Sequence, residues 1–150
     1  LRTGPEQRLT FKEVLPLRPE VSLAKILVVD WEEEERVYLW SVLEKAGHEL
    51  LFAADGQAAL KVWGERDVDL VITELYLPEL NGLRLIKELM ARDPYGLIVA
   101  ISDISADQLD LAEDYGACRI LYKPVAPRQL LSAVDDALRE HRHVRRDDWR

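Results

Sequence analysis

The hydrophobic and polar residues of this chain alternate in a regular way from Lys25 onward. Apolar runs of four to six residues occur five times, and each is followed by a segment in which apolar residues recur at helical spacing. The runs predict strands near residues 25–29, 49–53, 69–73, 97–101 and 119–122. The segments between and after them predict helices near residues 32–46, 56–64, 82–92, 105–115 and 127–140.

Residues at the ends of the predicted helices support this division. Gly47 follows the first helix as a left-handed stop, and Asp55 precedes the second helix as an N-cap. Ser105 and Gln108 form a capping box for the fourth helix, and Pro127 suits the first turn of the fifth. The hydrophobic period and the capping residues therefore predict the same helices.

The predicted strands are apolar on both faces, as in "ILVV", "DLVIT" and "GLIVAI". Such strands are expected where helices cover both sides of a parallel sheet. The alternation predicts an α/β fold with a doubly wound, five-stranded parallel sheet over residues 25–140. Residues 1–24 contain three prolines and no sustained period, which predicts an N-terminal extension, and residues 141–150 predict a charged C-terminal tail.

Composition and charge narrow the class of protein. A chain of 150 residues, 48% of them hydrophobic, is long enough to bury one core. The formal net charge of −8 argues against general binding to nucleic acid or to an anionic membrane surface. The single cysteine excludes an internal disulfide, and no run approaches the roughly 20 apolar residues of a membrane helix. We therefore expect a soluble, cytoplasmic domain.

Polar residues stand where the predicted strands end. In a doubly wound sheet the carboxyl ends of the strands lie at one edge, where functional groups gather. The residues expected at this edge are Asp30, Trp31, Glu32, Glu74, Ser102, Asp103, Lys123 and Pro124. Carboxylates, a hydroxyl and a lysine are thus predicted to lie together, a combination of groups used in phosphoryl transfer.

These segments resemble the receiver domain of two-component response regulators, the CheY-like family. The resemblance covers nearly all of residues 25–140 and rests on "KILVVD", "AGHELLFAADGQAAL", "DLVITELYLPELNGLRLIKEL", "LIVAIS" and "LYKPV", which follow in the family's order. It implies a flavodoxin-like sheet with strand order 2-1-3-4-5 and five helices. It also implies a bacterial phosphorelay, in which a histidine kinase transfers a phosphoryl group to an aspartate at the end of the third strand.

The resemblance assigns a role to each residue at the strand ends. Glu74 stands at the phosphoacceptor position, and Ser102 and Lys123 stand where the family contacts the phosphoryl group. Asp30 keeps the first position of the acidic pair that holds magnesium in the family, and Glu32 is a further residual acid. Asp30 and Glu32 are thus what remains of the family's acidic site.

Two substitutions are expected to disrupt the chemistry of that site. Glu74 is one methylene longer than an aspartate, which moves its carboxylate outward by about 1 Å, a displacement that can cost about 100-fold in rate. Trp31 replaces the second acid of the pair and offers no oxygen to a magnesium ion. We expect no bound metal and no other cofactor, and a weak Mg²⁺ site at Asp30 and Glu74 is the alternative.

Two further substitutions are expected to affect signalling. Ile120 stands where the family has an aromatic switch residue on the fifth strand, and an isoleucine has no ring to move between inward and outward positions. Asp103 follows Ser102 at a position where the family has a small residue, and its charge would repel an incoming phosphoryl group.

The sequence therefore predicts a stand-alone pseudo-receiver, a non-enzymatic protein-interaction module that is not phosphorylated. The alternative is an active receiver that accepts a phosphoryl group from a histidine kinase at Glu74 with altered chemistry. In the first case Glu74 is expected to pair with Lys123, because two buried charges left apart would each cost several kcal/mol. The expected partners are a histidine kinase or another signalling protein, and a second copy bound through the fourth helix, fifth strand and fifth helix.

Overall fold

The computed structural model describes the backbone of residues 23–103 and 106–147, and the side chains of these residues except those of 106–107 and 141–147. The strands are β1 (Lys25–Val29), β2 (Glu49–Ala53), β3 (Leu70–Glu74), β4 (Ile98–Ser102) and β5 (Arg119–Tyr122). The helices are α1 (Glu33–Lys45), α2 (Gly56–Glu65), α3 (Gly82–Arg92), α4 (Ala106–Tyr115) and α5 (Pro127–Asp147). The predicted strands and helices are confirmed, with β3 and β4 displaced by one residue.

All five strands pair in parallel in the order β2-β1-β3-β4-β5. The register places Val29 beside both Ala53 and Thr73, and Ser102 beside Tyr122. The strands therefore end together at one edge of the sheet. Both the doubly wound α/β fold and its strand order are as predicted.

The core lies on both faces of the sheet, as the apolar strands require. Leu27 and Val29 point to one face, where they pack with residues of α2, α3 and α4. Ile26 and Val28 point to the other face, where they pack with residues of α1 and α5. Alternate residues of one strand thus enter two separate hydrophobic clusters, each covered by helices.

Three of the predicted helix ends are present. Asp55 accepts a hydrogen bond from the backbone N–H of Ala58 at 2.7 Å, which caps α2. Gly47 has a φ of 96°, the left-handed conformation expected of a helix stop, and α5 begins at Pro127. The predicted cap at Ser105 lies outside the described residues.

The domain boundaries differ slightly from those predicted. The backbone of α5 continues to Asp147, because residues 141–147 contain neither glycine nor proline to end it, so the predicted tail begins as helix. Ala24 is buried in the core and exchanges hydrogen bonds with the start of β2, so it belongs to the folded domain. Residues 1–22 of the predicted extension lie outside the described part of the chain. Among the described residues, no helix is both long enough and apolar enough to cross a membrane.

Candidate functional site

Four polar side chains meet at the carboxyl edge of the sheet. Asp30 follows β1, Glu74 ends β3, Ser102 ends β4 and Lys123 follows β5. Asp30, Glu74 and Ser102 are almost wholly buried, with exposed fractions of 1%, 4% and 0%. The sequence predicted that these four residues would lie together, and the structure links them by contacts from Asp30 to Lys123, from Lys123 to Glu74 and from Glu74 to Ser102.

The Glu74 carboxylate is surrounded by hydrogen-bond donors. Its Oε1 accepts from the backbone N–H groups of Leu75 and Tyr76, at 2.8 and 2.9 Å, and from the Ser102 hydroxyl at 2.5 Å. Its Oε2 lies 2.6 Å from the Lys123 ammonium, which is the ion pair that the sequence predicted. Both oxygens are therefore engaged, and the buried charge is fully paired.

The Lys123 ammonium lies between two buried carboxylates. It contacts Asp30 Oδ2 at 3.3 Å as well as Glu74. Burial lowers the pKa of Lys123, but the hydrogen bond and charge of Glu74, with the charges of Asp30 and Glu35, outweigh burial and raise this pKa above its ordinary value. Lys123 is thus held in its charged form by the acids around it.

Asp30 is fixed by the backbone rather than by a second acid. Its Oδ1 accepts a hydrogen bond from the backbone N–H of Glu32 at 3.0 Å, and its carbonyl oxygen accepts one from the Arg36 guanidinium at 2.6 Å. Glu32 therefore supports Asp30 through its amide, while its side chain is exposed and makes no hydrogen bond or ion pair with a described residue.

Gly82 allows the start of α3 to approach the end of β3. Its N–H donates to the Leu75 carbonyl at 2.9 Å. A Cβ atom at this position would lie 2.5 Å from the Leu75 Cα and would also collide with the Glu74 carbonyl oxygen. Any larger residue at position 82 would therefore displace the backbone that presents the Leu75 and Tyr76 amides to Glu74.

An open cleft of about 390 Å³ lies above the buried charges. The residues that line it are Trp31, Glu32, Glu35, Glu74, Tyr76, Asp103, Lys123 and Pro124. Trp31 and Tyr76 are 47% and 68% exposed. The cleft thus has a buried floor of paired charges and a rim of aromatic and acidic side chains.

Besides Glu74, the sequence predicted that Trp31, Asp103 and Ile120 disrupt the chemistry or the signalling of the site, and two of these three residues border the cleft. Trp31 and Asp103 line the cleft, where the sequence predicted them. Ile120, by contrast, is half-buried and packs against the hydrophobic cluster beneath α2, α3 and α4. Its side chain is part of the core on that face of the sheet.

The residues of this site do not fit a magnesium ion. Both Asp30 oxygens and both Glu74 oxygens are already engaged, and an ammonium lies between the two carboxylates. Trp31 contributes no oxygen ligand where a hard cation needs several. Among the residues whose side chains the structure describes, no group of three or more His, Cys, Asp or Glu is arranged to hold a metal ion.

The sequence did not reveal several groups that complete the site. The Leu75 and Tyr76 amides hold Glu74, and Arg36 holds the Asp30 carbonyl. Backbone donors carry no signature in side-chain type, so these two amides were not predicted. Arg36 could have been found from its position one turn into α1, directly after the first strand.

The comparisons with known proteins identify the family. The chain matches the family model of the response regulator receiver domain over residues 26–135. The chain therefore belongs to the response regulator receiver domain family of two-component signalling. This agrees with the fold and with the position of the site at the carboxyl edge of the sheet.

Individual relatives cover the same region. The chain is 30% identical over 113 residues to the chemotaxis protein CheY of Thermotoga maritima, a match that covers 74% of this chain and 94% of that protein. It is 33% identical over 124 residues to the sensory/regulatory protein RpfC of Xanthomonas campestris pv. campestris, covering 79% of this chain but only 17% of RpfC. A crystal structure of a receiver domain protein from Clostridium thermocellum superposes with a TM-score of 0.78 at 30% identity, covering 81% of this chain and 99% of that one.

Proposed function

We propose that this receiver domain is not phosphorylated and acts in two-component signalling as a protein-interaction module. On this proposal the chain is a pseudo-receiver in the bacterial cytoplasm, with no enzymatic activity and no Mg²⁺ cofactor. Its partners are a histidine kinase or another signalling protein. The proposal concerns this domain alone, since the match covers only a small part of a long relative such as RpfC.

The observation that carries this proposal is the environment of the Glu74 carboxylate. A nucleophile needs a free lone pair and an open approach, and a phosphoryl acceptor also needs donors ready for the incoming oxygens. Here two amides, the Ser102 hydroxyl and the Lys123 ammonium are already bound to Glu74 itself. The groups that would stabilise a phosphoryl group are thus occupied by the residue that would receive it.

The same contacts favour one constitutive state. Glu74 joins the ends of β3, β4 and β5 through Ser102 and Lys123 without any added group. A carboxylate carries one charge where a phosphoryl group carries nearly two, so it imitates that group only in part. We infer that the domain presents one binding surface continuously and does not switch between two surfaces.

We also propose that a second copy binds through α4, β5 and α5. Leu111 on α4 and Tyr122 on β5 are 40% and 56% exposed, so two of these three elements carry a large exposed hydrophobic side chain. Exposed apolar residues of this size are common at protein interfaces. Sedimentation of the wild type and of a Tyr122→Glu variant tests this contact, and equal monomeric behaviour of both would contradict it.

The direct test of the function is a phosphorylation assay read by intact mass. The wild type is incubated with Mg²⁺ and acetyl phosphate, a small phosphoryl donor, while tryptophan fluorescence reports on Trp31 beside the cleft. We expect no saturable change in fluorescence with Mg²⁺ and no gain in mass. Saturable quenching followed by the mass of one phosphoryl group at Glu74 would overturn the proposal.

The double variant Trp31→Asp with Glu74→Asp is the matched positive control. It restores the second acid beside Asp30 and shortens the acceptor by one methylene, which frees Ser102 and Lys123 for a phosphoryl group. We expect this variant to bind Mg²⁺ and to gain one phosphoryl mass under the same conditions. A gain in the variant shows that the absence of modification in the wild type comes from these two residues.

A further inference from the structure

The rim of the cleft carries two exposed aromatic side chains. Trp31 follows Asp30 at the end of β1, and Tyr76 follows β3 by two residues. Both line the same cleft, and neither side chain makes a hydrogen bond or ring contact with a described residue. Large aromatic groups exposed together beside a concave surface are typical of binding sites.

The charge of the cleft is negative once the internal pairs are counted. Lys123 is the only cation among the described residues that line it, and it is shared between the two buried carboxylates of Asp30 and Glu74. Glu32, Glu35 and Asp103 remain, and none has a hydrogen bond or ion pair from its side chain to a described residue. The rim therefore combines two aromatic faces with three carboxylates that make no ion pair with a described residue.

We propose that this cleft binds an arginine side chain presented by a protein partner. The inference rests on the proposed function and adds to it the chemistry of the partner. A guanidinium stacks on an indole or phenol ring and also donates two parallel hydrogen bonds to a carboxylate, so one side chain can use both features of the rim. An ammonium is more strongly hydrated and lacks the planar fork, so lysine fits less well.

An anionic partner is disfavoured by the same residues. A phosphorylated or acidic side chain would meet the charges of these three carboxylates, and the ammonium on the floor is already paired with Glu74 and Asp30. Trp31, which stands after β1 where the family has an acid, thus offers a stacking surface in place of a metal ligand. The cleft favours a cationic ligand, and it binds that ligand through the aromatic and acidic residues of its rim.

The proposal is tested by NMR titration with three short peptides. The probes are Ac-Gly-Ser-Arg-Ser-Gly-NH2, the same peptide with lysine, and the same peptide with citrulline, which is isosteric with arginine and uncharged. The indole N–H signal of Trp31 is assigned with a Trp31→Phe variant. We expect the arginine peptide to shift this signal and the amide signals of residues 31–32, 76 and 103, with a Kd of about 1–10 mM that rises with salt.

Variants locate the effect within the cleft. Trp31→Ala is expected to weaken binding about fivefold or more, and Glu35→Gln with Asp103→Asn about tenfold. The controls are Trp40→Ala, which removes another exposed tryptophan, and Asp110→Asn with Glu113→Gln, which removes two exposed acids on α4. These controls are expected to leave the Kd unchanged. The amide spectrum of each variant shows in the same experiment that it is folded.

Two results would overturn the arginine site. One is an equal response to the citrulline peptide, and the other is binding that survives Trp31→Ala or maps to signals outside the cleft. These outcomes are separate from the phosphorylation assay. If the wild type binds the arginine peptide and also gains phosphoryl mass, only the proposed function is contradicted. If it gains no phosphoryl mass and does not bind the arginine peptide, only the arginine site is contradicted.

Discussion

Ion pairs occur in two very different places in this domain. At the carboxyl edge of the sheet, Lys123 pairs with Glu74 and Asp30, and these three side chains are 14%, 3% and 2% exposed. On the surface of α3, Arg84 and Glu88 approach within 4.0 Å, with side chains that are 70% and 39% exposed. The chemical groups are alike, and the difference between the two pairs is their access to water.

This difference decides what each pair contributes. An exposed pair exchanges its partner for water at little cost, so it is worth at most about 1 kcal/mol. A buried charge that loses its partner has no water to replace it, and the cost is about 3–5 kcal/mol. The buried cluster therefore fixes the geometry of the site, whereas the pairs on the helices have little effect on the fold.

The largest predicted effect is that of Lys123→Met. The substitution leaves the carboxylates of Glu74 and Asp30 buried together with no cation between them. We expect the free energy of unfolding, measured with urea, to fall by about 3–5 kcal/mol. A loss below about 1 kcal/mol would show that water enters the cluster and that the two kinds of ion pair are equivalent.

The second effect concerns the Ser102 hydroxyl. Ser102→Ala removes the donor that lies 2.5 Å from Glu74 Oε1, while the Leu75 and Tyr76 amides remain. Since hydrogen bonds to charged groups contribute about 1.5–3 kcal/mol, urea unfolding should show a loss near the lower end of that range. Ser102→Thr, which keeps the hydroxyl, is the control. Equal losses in the two variants would mean that the bond contributes nothing.

The third prediction is a pH dependence at high pH. The pKa of Lys123 is raised in the folded protein, so above the ordinary lysine pKa of 10.5 the folded chain keeps a proton that the unfolded chain loses. The stabilisation is fully present below that value. It falls as pH rises further, by at most about 1.4 kcal/mol per pH unit. The measurement is the difference in unfolding free energy between wild type and Lys123→Met, and a difference that stays constant to the highest accessible pH would contradict the raised pKa.

The smallest effect is expected at the surface pair of α3. Arg84→Ala removes one partner of an exposed pair whose atoms are 4.0 Å apart, so unfolding should change by less than about 0.5 kcal/mol. A loss comparable to that of Lys123→Met would remove the distinction between the two environments. Thermal unfolding at low and at high salt measures the contribution of this ion pair to stability. We expect no resolvable difference in Tm between the variant and the wild type at either salt concentration.

The fold could be predicted from the sequence because local signals agreed with one another. The apolar strands, the Asp55 cap and the Gly47 stop all indicated the same elements, and the strand ends brought Asp30, Glu74 and Lys123 together by topology alone. The rule that parallel strands end at one edge thus located the site before any distance was known.

The details that could not be predicted depend on tertiary geometry. The Glu32 amide that holds Asp30 and the two amides that hold Glu74 follow from the path of the backbone after each strand. The length of α5 was underestimated because a charged segment without glycine or proline has no clear stop signal. Tyr76 was not singled out, since one tyrosine in a loop acquires meaning only when the fold places it in the same cleft as Trp31.

The Glu74 carboxylate already occupies the hydrogen-bond donors of the site, and the Lys123 ammonium reports directly on this contact. NMR of protein labelled with ¹⁵N and ¹³C can detect the Lys123 ammonium group at neutral pH. It can also detect a scalar coupling across the hydrogen bond, between the Lys123 Nζ nitrogen and the Glu74 carboxylate carbon. We expect slow hydrogen exchange at Lys123, unlike that of the exposed Lys61, and a coupling that disappears in Glu74→Gln. Exchange at Lys123 as fast as at Lys61, with no coupling to Glu74, would contradict the account.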